Sequence, residues 1–127
     1  MKKRAGFSLI ETTVAVALLG VIVVTILSAF SAVTIAATRH QQQTTLDRLT
    51  RSDAEFIKSQ AYATGASPYA NLAAAGFGFS YQVLYYDPAR NPTFATGNAD
   101  NGLQQMVLTV TGPNGSSETL DFLKVQP

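Results

Sequence analysis

Glu11 is the residue of this chain whose type and setting most demand a partner. From Phe7 to Thr38 the sequence runs FSLIETTVAVALLGVIVVTILSAFSAVTIAAT, and Glu11 is its only charged side chain. An ionisable group in an apolar helix costs about 2.5–3.5 kcal/mol at mid-bilayer. No Lys, Arg or His occurs between Phe7 and Thr38, so the chain has no side-chain cation of its own to offset that cost. The partner has to be a chain terminus or another molecule. A plainer reading makes Glu11 an acid near a helix start, favoured there by the helix dipole.

Other residues offer weaker chemistry. The chain has no cysteine, which excludes disulfides, thiolate catalysis and cysteine-based zinc sites. His40 is the sole histidine, beside Arg39 and ahead of three glutamines, and one imidazole builds neither a catalytic triad nor a zinc site. Asn98, Asp100, Asn101 and Gly102, with Asp87 nearby, supply oxygen ligands in a turn. Their spacing does not match an EF-hand loop, and no metal or cofactor is expected. Phe79, Tyr81, Tyr85 and Tyr86 could stack bases, but no basic patch accompanies them, so no nucleic-acid site is expected. No nucleophile elbow, phosphate loop or metalloprotease motif occurs, and the chain reads as a non-enzyme.

The elements that carry these residues follow from hydropathy and punctuation. At 127 residues the chain has room for one small domain, and much of its apolar content lies near the N-terminus. Nine Lys plus Arg against eight Asp plus Glu give no strong overall field. The run from Phe7 to Thr38 is long enough to span a bilayer and too long for the apolar part of a secretory signal peptide. Lys2, Lys3 and Arg4 ahead of it predict an N-terminus held in the cytoplasm and a body delivered outside.

Beyond Thr38 the composition turns polar, with no Pro or Gly until Gly65, while Leu46, Leu49, Phe56 and Ile57 keep helical spacing. One nearly continuous helix is predicted from about Phe7 to about Tyr62, ended by Gly65 and Pro68. Its charges, Asp47, Arg48, Arg51, Asp53, Glu55 and Lys58, read as a solvated face. Ser67 to Gly78 reads as a loop. Phe79–Asp87, Leu103–Thr111 and Ser117–Val125 alternate and are rich in strand formers, the last two joined by a turn at Gly112-Pro113-Asn114-Gly115. The fold class is α+β: a long N-terminal helix, half for the membrane and assembly and half packed on the body, against an antiparallel sheet of about three strands. Such a sheet needs a helix on one face, and Leu46, Leu49 and Phe56 are expected to supply it.

Lys-Lys-Arg-Ala-Gly followed by Phe-Ser-Leu-Ile-Glu-Thr-Thr-Val resembles the prepilin leader shared by type IV pilins and type II secretion pseudopilins. The resemblance covers roughly the first thirty residues. It implies cleavage after Gly6 by a prepilin peptidase, N-methylation of Phe7, and membership of a helical filament. Gly6, Phe7 and Glu11 fall on the family's motif positions, and Gly20 matches a glycine common in such helices. The implied organisation is a leader at 1–6, a transmembrane and filament-core helix at 7–38, and an extracytoplasmic pilin-like domain at 39–127. Its partners would be other pilin or pseudopilin subunits, the peptidase and an inner-membrane assembly platform. The chain would sit single-pass in the cytoplasmic membrane before processing, then in a filament in the periplasm or at the cell surface.

Physics agrees with that chemistry. A cut after Gly6 leaves an α-amino group on Phe7, one turn from Glu11 and about 6 Å along the axis. In staggered subunits that amine can meet a neighbour's Glu11 where low dielectric strengthens the pair and register is fixed. Many pilins carry a proline in the apolar helix; this chain has none there, only Gly20 followed by β-branched Val21 to Thr25, which weakens the implied local melting. An uncleaved single-pass anchor displaying an extracytoplasmic binding domain is the competing reading.

Overall fold

The computed structural model describes residues 6–65, 67–90 and 93–127. Lys2, Lys3 and Arg4 lie outside the described residues. Contacts divide the chain into two compact units, Met1–His40 and Gln41–Pro127, and the helix α1, Leu9–Ser59, supplies residues to both.

In the first unit α1 is long and apolar enough to cross a membrane, and none of its most apolar stretch is buried within the chain. Lipid offers the backbone no hydrogen bonds, so a helix is the conformation in which this segment satisfies itself. The hydroxyls are satisfied in the same way. Thr13, Thr25, Ser28, Thr34 and Thr38 each donate to the carbonyl four residues back, at 2.7–3.0 Å. These side chains therefore cost the apolar segment little.

The second unit holds the core. The remainder of α1 buries Leu46, Thr50, Asp53, Ala54 and Ile57, spaced to form one helical stripe. The expected seam is thus corrected at two places: Phe56 is 38% exposed and Leu49 only half-buried. Polar residues occupy the stripe instead. Thr50 is tolerated because its hydroxyl returns to Leu46 O at 2.8 Å. Asp53, read from sequence as solvated, is fully buried and accepts from Leu72 N–H at 2.6 Å.

Four strands form one antiparallel sheet in the order β2-β1-β3-β4. They are β1 (Gly78–Tyr86), β2 (Phe94–Ala95), β3 (Leu103–Thr111) and β4 (Ser117–Val125). Register sets Val83 beside Met106 beside Phe122, and Tyr81 beside Leu108 beside Leu120. Met106, Leu108, Val110 and Val83 join Leu46, Ala54, Ile57 and Tyr69 in one core. The sheet has one strand more than expected because β2 is only two residues long, too short to show a period of two. It pairs with β1 at Tyr85 and Tyr86, and the Tyr86 and Phe94 rings lie 5.4 Å apart.

The helix ends at Ser59 rather than near Tyr62, and Lys124 explains the position. Its Nζ donates to the carbonyls of Ile57, Lys58 and Gln60 at 2.9, 3.1 and 2.6 Å. A helix end leaves such carbonyls without intrahelical donors, and an inward-facing lysine from β4 serves three at once. Nζ also lies 4.8 Å from the centre of the Tyr69 ring. Burial pulls the Lys124 pKa down, whereas three accepting carbonyls favour the ammonium form.

Asp53 makes a prediction. Among the described residues its Oδ2 and the nearby Asn71 Oδ1 are both buried acceptors without a donor, and Leu72 N–H ties the two segments together. Desolvation raises the Asp53 pKa, the Leu72 hydrogen bond opposing it. A carboxyl whose pKa rises on folding contributes stability below its ordinary value of 3.8 that is lost as pH climbs through the native value. Asp53→Asn keeps an acceptor for Leu72 and replaces the orphan oxygen with a donor. Denaturant melts at neutral pH are expected to show a gain of about 1–2 kcal/mol, shrinking toward acid; a loss at neutral pH would refute this account.

Candidate assembly site at the helix N-terminus

The first turn of α1 is built by two side chains that close on each other. Glu11 N–H donates to Ser8 Oγ at 3.2 Å, and Ser8 N–H donates to Glu11 Oε2 at 3.2 Å. This is a capping box, in which two otherwise orphaned backbone donors are satisfied reciprocally. It corrects one expectation: Glu11 does have a partner within its own chain, a backbone N–H rather than a cation. The Ser-x-x-Glu spacing of Ser8 and Glu11 was the available signal. Glu11 Oε1 accepts no hydrogen bond among the described residues.

Gly6 and Phe7 precede this turn and are open. Phe7 is 85% exposed, and a Cβ placed on Gly6 would meet nothing within 4 Å among the described residues. The fold thus gives no steric reason for a glycine at position 6. Gly20 is equally unobstructed, although glycine inside a helix costs about 1 kcal/mol relative to alanine, as measured in water. Gly6, Phe7 and Glu11 therefore lie together at one accessible helix end.

The remaining sequence candidates do structural work. Asp100 accepts from the Tyr62 hydroxyl, from Gly102 N–H at 2.9 Å and from Gln104 Nε2 at 3.2 Å. Against the upward push of burial, these donors hold its carboxyl below the ordinary value. Gln104, fully buried, also accepts from the Tyr69 hydroxyl at 2.7 Å and donates to Ala63 O at 2.9 Å. The network pins the segment after α1 to β3. Asn98 Nδ2 donates to Tyr85 O and Thr93 O, and Asn101 Nδ2 to Tyr86 O. Asp87 Oδ1 caps the turn at Ala89 N–H. Tyr81 and Tyr85 spend their hydroxyls on the backbone of Tyr69 and Gly65. His40 is exposed on α1. Sequence reasoning missed Gln104 and Lys124, and alternation supplied a signal, since both occupy inward positions of their strands.

A long apolar helix that leads into an antiparallel sheet, with an open Gly-Phe junction ahead of an acid in its first turn, fits a pilin-like subunit. Residues 1–36 match the family model described as the prokaryotic N-terminal methylation motif, the prepilin-type motif of type IV pilin-like proteins. No curated protein and no solved structure matches the chain. Motif and helix together support membrane anchoring.

Proposed function

We propose that this protein is a structural subunit, a minor pilin or pseudopilin, of a type IV pilus or type II secretion-like filament. A prepilin peptidase removes residues 1–6, Phe7 is N-methylated, and the helix at 7–38 passes from membrane to filament core with 39–127 outside. Other subunits and an inner-membrane assembly platform are its partners. The observation that carries this reading is the prepilin-type motif over residues 1–36, set on a helix whose most apolar stretch is unburied among the described residues. Two details support it. Among the described residues Gly6 has no local steric cause, as expected of a residue selected by a peptidase, and there the capping box leaves Glu11 Oε1 open to a neighbour's amine. The lack of a cysteine pair favours a minor or pseudopilin role over a major one.

Intact-mass and N-terminal peptide analysis of the membrane-extracted protein is expected to find a chain beginning at monomethylated Phe7. A native chain that retains Met1 to Gly6 and stays monomeric would replace this reading with that of an uncleaved anchored binding domain.

A further inference from the structure

The turn between β3 and β4 holds three exposed residues, Asn114, Gly115 and Ser116, whose arrangement goes beyond turn chemistry. Asn114 Oδ1 accepts two hydrogen bonds from Ser116, from N–H at 3.2 Å and from the hydroxyl at 2.5 Å. Gly115 has a φ of 80°, and a Cβ there would meet nothing within 4 Å among the described residues. Asn114 Nδ2 donates to Gln42 Oε1 on α1 at 2.7 Å, so the amide also ties the hairpin to the helix.

We propose that Asn114 is a self-modifying site that cyclises onto Gly115 and reopens as aspartate or isoaspartate. The main-chain nitrogen of Gly115 attacks Cγ of Asn114. The N–Cγ bond forms, the Cγ–Nδ2 bond breaks, and the displaced proton leaves with Nδ2 as ammonia. Water then opens the succinimide, its hydroxyl going to one ring carbonyl carbon and its hydrogen to the ring nitrogen. Negative charge develops on Oδ1 during the attack, where the two Ser116 donors already point, and donors aimed at a developing oxyanion lower such barriers. Glycine leaves the nucleophile unobstructed. The bond from Gly115 N–H to Gly112 O, 3.1 Å, must open first, and it sits in an exposed turn where local opening is easiest.

The chain contains its own comparison at Asn101-Gly102. There Gly102 N–H is held by Asp100 Oδ1 at 2.9 Å, and Asn101 Oδ1 accepts no hydrogen bond among the described residues. A neighbouring carboxylate opposes an oxyanion, and Gln126 leaves little free space beside Gly102, since a Cβ built there would lie 3.3 Å from its Oε1. Same dipeptide, opposite electrostatics: Asn114 reacts and Asn101 is protected. Reaction at Asn114 removes the donor that engages Gln42, and the isoaspartate product adds a backbone carbon inside the turn.

The test incubates the full chain in detergent in oxygen-18 water at neutral pH and maps peptides by mass. Label is expected at position 114, with little at 101, about tenfold faster than at position 114 of the guanidinium-unfolded chain. Ser116→Ala, which keeps only the backbone N–H donor, should fall well below the wild-type rate toward the unfolded one, and Ser116→Thr should keep the folded one. Equal rates at 114 in the folded and unfolded chains would overturn the proposal. So would a Ser116→Ala variant that reacts at the wild-type rate, or label appearing first at Asn101.

Discussion

A Glu11→Gln variant is expected to insert and to keep its first helical turn, yet to enter filaments at least ~tenfold less than wild type, which corresponds to about 1.4 kcal/mol. Glutamine serves the third helical position of a capping box as glutamate does, so the reciprocal bonds with Ser8 survive the change. What disappears is the charge. Breaking a buried ion pair from one side costs about 3–5 kcal/mol, ample for such a defect. Glu11→Ala loses the charge and also the acceptor for Ser8 N–H, while Ser8 Oγ still caps the N–H at position 11. Immunoblots comparing sheared filaments with the membrane fraction give the ratio for each variant. Normal assembly by Glu11→Gln beside defective Glu11→Ala would reduce Glu11 to a helix cap.

Lys124→Met should destabilise the body by about 2–4 kcal/mol, because three carbonyls lose their donor and buried groups left unpaired cost about 1–3 kcal/mol each before any rehydration. Methionine fills similar volume, which separates the polar loss from a cavity. Lys58→Met provides the contrast: its ammonium pairs with Glu55 at 3.1 Å on an open surface, and such pairs contribute about 0.5 kcal/mol. Denaturant melts of both variants, as full chains in detergent, measure the difference. Amide exchange around Ala61 to Ala63 should quicken in Lys124→Met alone. Equal effects from the two lysines would discard the clamp.

Glu11 marks where the sequence was readable and Lys124 where it was not. The α+β class, the long helix and three of the strands follow from apolar length and alternation. Met106, Leu108 and Val110 could be put on one face because strand geometry leaves no other choice. Glu11 could be singled out because hydrocarbon penalises charge regardless of fold. The packing face of α1 was less legible. A helical stripe built on Thr50 and Asp53 hides behind polar letters, and only Leu72 N–H, which tertiary structure brings to Asp53, makes burial of that acid tolerable. The end of α1 was likewise misplaced. Gly65 and Pro68 are local stop signals, whereas the carbonyls of Ile57, Lys58 and Gln60 are satisfied by a side chain far along the chain. Spacing alone sets Asp100 aside as an ion ligand, but the donors that hold it, Tyr62 and Gln104, are invisible in the sequence.

The clamp also orders events in time. Ile57 O waits for a lysine 67 positions downstream, a long loop to close before any reward is collected. A nascent chain still short of position 124 therefore holds a helix with a frayed end. Only when the final strand docks in the one pairing that turns Lys124 inward, since a slip by one residue would face it outward, does the helix end become fixed at Ser59.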